Sequence, residues 1–313
     1  MTDLLPVIVI AGPTAVGKTS IAVELAERIG GEIIGADSRQ IYRGFDIGTG
    51  KPSAEERTRV PHHLIDVADP REVFSAARFA AMAAERIGLL DMAGKRTIVV
   101  GGTGLYLRAL QSGLFPAPRR DDDLRERLRQ RALSEGTASL HAELAQVDPE
   151  AAGRIHPNDS VRIIRALEVF EGTGFPISRL QREETASPLP GRRFTGILLV
   201  RPSAELDQRI ARRVRAMADA GWAEEVRRLL ASGCDRECPG MQSLGYRTMA
   251  RVADGEIGIE EAVETIVRET RRYAKRQVTW FRGDRSHKAV EPGERDDATV
   301  LEELLRIARE EER

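Results

Sequence analysis

Gly12-Pro13-Thr14-Ala15-Val16-Gly17-Lys18-Thr19 follows the pattern G-x-x-x-x-G-K-[ST], the spacing at which a loop wraps linked phosphates. Backbone N–H groups at the start of the next helix point at anionic oxygens, Lys18 adds a charge, and the Thr19 hydroxyl suits a magnesium ion. The whole loop is therefore the candidate diphosphate or nucleotide site, and Mg2+ is the expected cofactor. The reaction stays open, because kinases, hydrolases and transferases that expel pyrophosphate all need such a loop.

Two further segments end at the same crevice if the sheet is parallel. Asp37-Ser38-Arg39-Gln40 follows the β-like run Glu32 to Ala36, and the carboxyl ends of strands in an open α/β sheet face the ligand. Asp37 is the best candidate for a base there, with a turn-capping role as the alternative. Gly101-Gly102-Thr103-Gly104 follows Ile98-Val99-Val100; its glycines permit close backbone approach, and Thr103 either caps the next helix or touches a ligand. His62 and His63 lead into a strand without matching ligands and read as structural.

The elements that must carry these residues follow from the pattern of the chain. Leu4 to Ala11, Glu32 to Ala36, His63 to Val67, Thr97 to Val100 and Thr195 to Val200 read as strands between amphipathic stretches, among them the helix marked by Ile21, Leu25 and Ile29. The expected fold is α/β: a parallel sheet of the P-loop NTPase type flanked by helices, with an inserted all-helical domain. Helical pattern without a strand from about 124 to 182 marks the insert, and proline clusters at 115–118 and 188–190 bracket it. The expected division is a catalytic core of residues 1–115 and 192–313 and an insert of 116–191. Helices are expected near 204–219, 222–232, 245–254, 259–282 and 297–311.

Composition excludes several classes. A chain of 313 residues with 41% hydrophobic content and a formal net charge of -1 can bury a real core and shows no global bias toward polyanions. Only five basic residues are lysines, so the arginine abundance is compositional and is not by itself evidence of RNA binding. No apolar run approaches the roughly 20 residues of a membrane span, and the first residues lack a positive leader, so a cytoplasmic location is expected. Cys234 and Cys238 have no second pair to complete a zinc site and read as free thiols.

Taken together, the phosphate loop, the run from Asp37 to Pro52 and Gly101-Gly102-Thr103-Gly104-Leu105-Tyr106 resemble the bacterial tRNA dimethylallyltransferases. The resemblance continues through His62-His63-Leu64-Ile65-Asp66, His156-Pro157-Asn158-Asp159, Gly245-Tyr246-Arg247 and Ala274-Lys275-Arg276-Gln277, and so spans residues from about 5 to 283. It implies transfer of a dimethylallyl group from dimethylallyl diphosphate to N6 of the adenine on the 3′ side of the anticodon, with diphosphate leaving. The loop then binds the prenyl donor. The catalytic set implied is Asp37 as base, with Lys18, Thr19 and Arg213 on the diphosphate.

The resemblance also implies a grip on the tRNA anticodon stem-loop, and a monomer is expected. Asp37, Ser38, Arg39, Gln40 and Thr103 face the adenine; Arg125, Val161, Arg162, Ile163, Ile164 and Arg165 contact RNA from the insert; Gln242, Ser243, Leu244, Gly245, Tyr246 and Arg247 do so from the C-terminal half. Val16 and Val161 stand where relatives often carry polar residues. The basic stripe Arg268, Arg271, Arg272, Lys275, Arg276 suits phosphate contacts along the stem. A P-loop small-molecule kinase using ATP is the alternative reading; it leaves the long helical insert unexplained.

Overall fold

The computed structural model describes residues 4–116, 118, 121–183, 185–284, 286–291 and 297–310. Met1 to Asp3, Ala117 within the first proline cluster and residue 311 lie outside them. The chain divides into two compact units, Met1–Gln111 with Leu189–Arg313, and Ser112–Pro188.

In the first unit, β-branched runs form a six-stranded parallel sheet. β1 (Val7–Ala11) is followed by α1 (Lys18–Ile29), β2 (Gly31–Gly35), α2 (Ala54–Arg59), β3 (His62–His63), α3 (Ala76–Met92), β4 (Arg96–Gly101) and α4 (Gly104–Gln111). The order across the sheet is β3-β2-β4-β1-β5-β6, where β5 is Phe194–Leu199 and β6 is His287–Val290. β1 is fully buried between β4 and β5, with Ile10 beside Val100 and Ile197. Such burial on both faces is what an all-apolar strand requires. This register brings the ends of β1, β2 and β4, and so the three chemical segments, to one edge of the sheet.

Two strands depart from the sequence reading. β3 stops after His63 instead of running to Val67, because Leu64 and Asp66 take positive φ of 59° and 60° and turn the chain out of the ladder. β6 was not expected: its pairing with β5, Gly196 beside His287, creates it at the sheet edge.

The insert packs α5 (Asp122–Ser134), α6 (Thr137–Val147), α7 (Pro149–Arg154), α8 (Ser160–Thr173) and α9 (Ile177–Glu183) around its own core of Leu128, Leu140, Leu144, Ile163 and Leu167. After it come β5, α10 (Ser203–Asp219), α11 (Trp222–Ala231), a 3-10 turn at Pro239–Gln242, α12 (Tyr246–Ala253), the 24-residue α13 (Ile259–Arg282), β6 and α14 (Asp297–Glu310). Cys234 and Cys238 are bonded to each other, not free. A spacing of four in the loop after α11 brings their Cα atoms to 5.9 Å, within the span of a disulfide.

Candidate active site

The phosphate loop is held open by cations on its carbonyl side. Lys18 Nζ donates to Gly12 O and Pro13 O at 2.9 and 2.8 Å, Arg209 Nε donates to Ala15 O at 2.8 Å, and Arg201 Nε donates to Val16 O at 2.9 Å. With the loop carbonyls engaged, the partnerless amides that begin α1 are the groups left for an anion. Ala15 sits at φ 63°, a conformation that costs a non-glycine residue free energy and that the Arg209 bond helps fix. Gly12 allows the tight approach to β5: a Cβ there would lie 2.7 Å from Leu199 O.

Asp37, Lys18, Thr19, Thr14, Ala15, Gly17 and Arg213 line one cavity of about 760 Å³. Burial pushes the Lys18 ammonium down to about 8; Asp37 opposes the shift and Arg213 adds to it. Burial likewise lowers the Arg213 guanidinium, opposed by Asp37 and Glu56. Both cations are therefore desolvated beside the Asp37 carboxylate, an environment that further negative charge would stabilise. Asp37 Oδ1 accepts from Arg39 N at 2.8 Å, an Asx turn that fixes the carboxylate at the end of β2. The turn role and the candidate base role thus coincide in one residue. Thr103 Oγ1 accepts from Ser38 N at 3.0 Å and so ties the β4 loop to the β2 loop. Gln40 Nε2 donates to Gly50 O at 3.0 Å, beside Arg213 Nη2 at 3.5 Å from the same oxygen.

The C-terminal segment divides by burial. Gln242, Ser243 and Leu244 line the cavity, and Arg247 is exposed and paired with Glu237 at 3.1 Å. Tyr246, expected at the RNA, is instead fully buried: its hydroxyl donates to Glu225 Oε1 at 2.7 Å, while Glu225 Oε2 accepts from Asp46 N and Ile47 N at 3.0 and 2.7 Å. Burial and the Glu225 charge raise its phenol well above the usual range. Gly245 is buried against Trp222, which a Cβ would meet at 2.3 Å.

Within the insert, Ile163 and Ile164 are core residues and offer no side chain to a ligand, whereas Val161 and Arg162 are exposed. Arg125 and Arg165 are half-buried and both pair with buried Glu168, at 2.7 and 2.8 Å. Two guanidinium groups from different helices, α5 and α8, thus share one carboxylate. Along α13, Arg271 pairs with Asp207 at 3.6 Å, while Arg272 and Arg276 border the cavity.

Sequence reasoning missed Glu225, Arg201 and Arg209 and left Gln277 as part of a motif. Glu205, Arg209 and Arg213 recur every four residues on one face of α10, and Arg201, just before the helix, pairs with Glu205; that spacing could have exposed the pair behind the loop. Magnesium fits the donors present: the Thr19 hydroxyl borders the cavity, and this ion takes one or two protein oxygens and completes its shell with water and substrate phosphate.

A model of the IPP transferase family matches residues 40–284. The chain is 53% identical over 280 residues to a tRNA dimethylallyltransferase of Syntrophobacter fumaroxidans, covering 90% of this chain and 82% of the other. It is 50% identical over 298 residues to that of Geobacter metallireducens, covering 94% and 96%. The crystal structure of the full-length tRNA isopentenylpyrophosphate transferase from Bacillus halodurans matches 98% of both chains with TM-score 0.71 and 39% identity. A eukaryotic dimethylallyltransferase acting on tRNA matches 93% of this chain and 74% of its own with TM-score 0.73 and 29% identity.

Proposed function

The chain belongs to the IPP transferase family, and from that premise we infer that it transfers a dimethylallyl group from dimethylallyl diphosphate to N6 of the adenine on the 3′ side of the anticodon in tRNA, releasing diphosphate. The observation that carries this reading is one cavity with cations at the phosphate loop and a fixed carboxylate at the neighbouring strand end. A donor lodged by its diphosphate on the loop amides, Lys18 and Arg213 presents its allylic carbon to the rest of that cavity.

As the C–O bond to the donor breaks, negative charge grows on the departing diphosphate, and Lys18 and Arg213 stabilise it. When bound, magnesium held by Thr19 would neutralise part of the same charge. The adenine N6 lone pair is delocalised into the ring, so attack on carbon is helped by loss of a proton, which Asp37 accepts. The base must leave its stack to enter, and an anticodon loop allows this more readily than a duplex. Ser38, Arg39, Gln40 and Thr103 border or brace the acceptor end, and Gln242 to Leu244 close it from the C-terminal half.

The stem-loop would be gripped by exposed arginines of α13 and by Val161, Arg162 and the Arg125–Glu168–Arg165 cluster of the insert. Among the described residues no helix is long and apolar enough to cross a membrane. We place the reaction in the cytoplasm, with the protein acting as a monomer.

The test is incubation with magnesium, radiolabelled dimethylallyl diphosphate and unmodified tRNA carrying adenines 3′ of the anticodon, with Asp37→Ala alongside. Label in the tRNA that disappears in the variant supports both reaction and base. ATP consumption with a small acceptor, and no label, would favour the kinase reading.

A further inference from the structure

α13 buries Ala262, Val263, Ile266, Ala274 and Phe281 along one stripe, and the residue at that stripe between the last two is Gln277. A polar side chain on a buried stripe must find partners or cost stability. Gln277 finds two, both at the ligand site. Its Oε1 accepts from Thr14 N of the phosphate loop at 2.9 Å, and its Nε2 donates to Gly102 O of the β4 loop at 2.8 Å. The partners fix which way the amide points, since Thr14 offers a donor and Gly102 an acceptor. A Cβ on Gly102 would lie 2.3 Å from Nε2, so glycine is needed for the approach.

The geometry points to Gln277 as a positioning residue that holds the donor loop and the acceptor loop in register. The inference rests on the function proposed above, because it assigns the two loops to the two substrates. Thr14 belongs to the loop that takes the diphosphate, and Gly102 precedes Thr103, which braces Ser38 and hence the turn that carries Asp37. One amide thus bridges the leaving-group end and the base end of a single cavity. A primary amide supplies an uncharged donor and an uncharged acceptor on one carbon, which is what the two partners require. Glutamate would set a carboxylate oxygen against the Gly102 carbonyl, and methionine fills the space but bonds neither partner.

The test uses Gln277→Met and Gln277→Asn in the full-length chain. Four quantities are read: the dissociation constant of a non-transferable thio-analogue of dimethylallyl diphosphate, kcat at saturating donor, KM for tRNA, and Tm. With Gln277→Met we expect the analogue to bind about tenfold more weakly and kcat to fall about tenfold, each the effect of one lost buried hydrogen bond, with the tRNA KM unchanged. Gln277→Asn, too short to reach both partners, should fall between wild type and Gln277→Met. A folded Gln277→Met that binds the analogue and turns over as wild type does, losing only Tm, would reduce Gln277 to packing and overturn the inference. If wild type itself transferred no label, the proposed function would fall, while the analogue affinities would still decide whether Gln277 supports the donor loop.

Discussion

Lys18 gives the sharpest quantitative test, because burial, opposed by Asp37 and aided by the Arg213 charge, pushes its pKa down to about 8. A diphosphate against the ammonium reverses that shift, so binding above pH 8 must take up a proton. Each pH unit then costs ~1.4 kcal/mol, or about tenfold in affinity, and the loss from pH 7 to 9.5 is about thirtyfold. The donor thio-analogue suits the assay, since the last ionisation of an esterified phosphate group lies near pH 6 and is already about nine-tenths complete at pH 7. Calorimetric titration from pH 7 to 9.5 should show the decline in wild type and a flat, weaker profile in Lys18→Met. Stability must move the other way. The folded pKa lies below the unfolded value of 10.5, so the unfolded chain binds more protons between about 8 and 10.5, and Lys18 adds up to ~3 kcal/mol of stability as pH rises through that window. That gain, present above 10.5, is lost as pH falls through 8. Affinity that stays level in wild type to pH 9.5 would refute the placement of Lys18 on the diphosphate.

Four further outcomes are expected. Glu225→Ala leaves the Asp46 and Ile47 amides and the Tyr246 O–H without their acceptor and should cost ~3–5 kcal/mol in urea unfolding; Glu225→Gln should cost only ~1 kcal/mol, since a tyrosine hydroxyl can turn to accept from the new amide. Gly50→Ala places a Cβ 1.9 Å from Arg213 Nη2 at φ +60°, so kcat should drop about 100-fold as Arg213 is displaced. Gly174→Ala, at φ +75° with nothing within 4 Å, should pay a similar backbone cost of ~1 kcal/mol in the unfolding assay with no change in kcat. Neutralising Arg272 and Lys275, both exposed on α13, should raise the tRNA KM, leave donor affinity alone and flatten the log–log salt dependence by about 0.7–0.9 per charge; an unchanged slope counts against a groove for RNA there.

What was legible in the sequence was local. The phosphate loop announces itself because eight consecutive residues carry the chemistry, and the sheet does so because β-branched runs alternate with helical periods. The four residues His287–Val290 carry no such signal, and β5 alone makes them a strand. The end of β3 depends on two backbone angles that hydropathy does not encode. The Arg165–Glu168 pair, three apart on α8, could be read from that helix alone, but the burial of Glu168 and its second bond to Arg125 of α5, 43 residues earlier, could not. Tyr246 was misplaced for a related reason. Its motif marks a position near the site, but the hydroxyl faces Glu225, 21 residues before it in the chain.

The family motifs look like separate islands along the sequence, yet several of the glycines within them are halves of contacts whose other halves lie in α10 to α13. Gly48 faces Trp222, which a Cβ would meet at 2.2 Å; Gly50 faces Arg213; Gly102 faces Gln277; and Gly245 faces Trp222 from the opposite direction. In each case a large side chain from the C-terminal helices reaches the backbone of the loop it supports, and only hydrogen in place of Cβ leaves room. The consequence differs with the partner. Trp222 is rigid and buried, so widening Gly48 disturbs packing, whereas Arg213 is long and half-buried, so widening Gly50 moves a cation and costs the fold only its backbone strain. A glycine's partner therefore tells whether it serves stability or chemistry, and that partner lies more than 160 residues away for Gly48, Gly50 and Gly102. This is why the motifs could be seen in the sequence while the assembly they form could not.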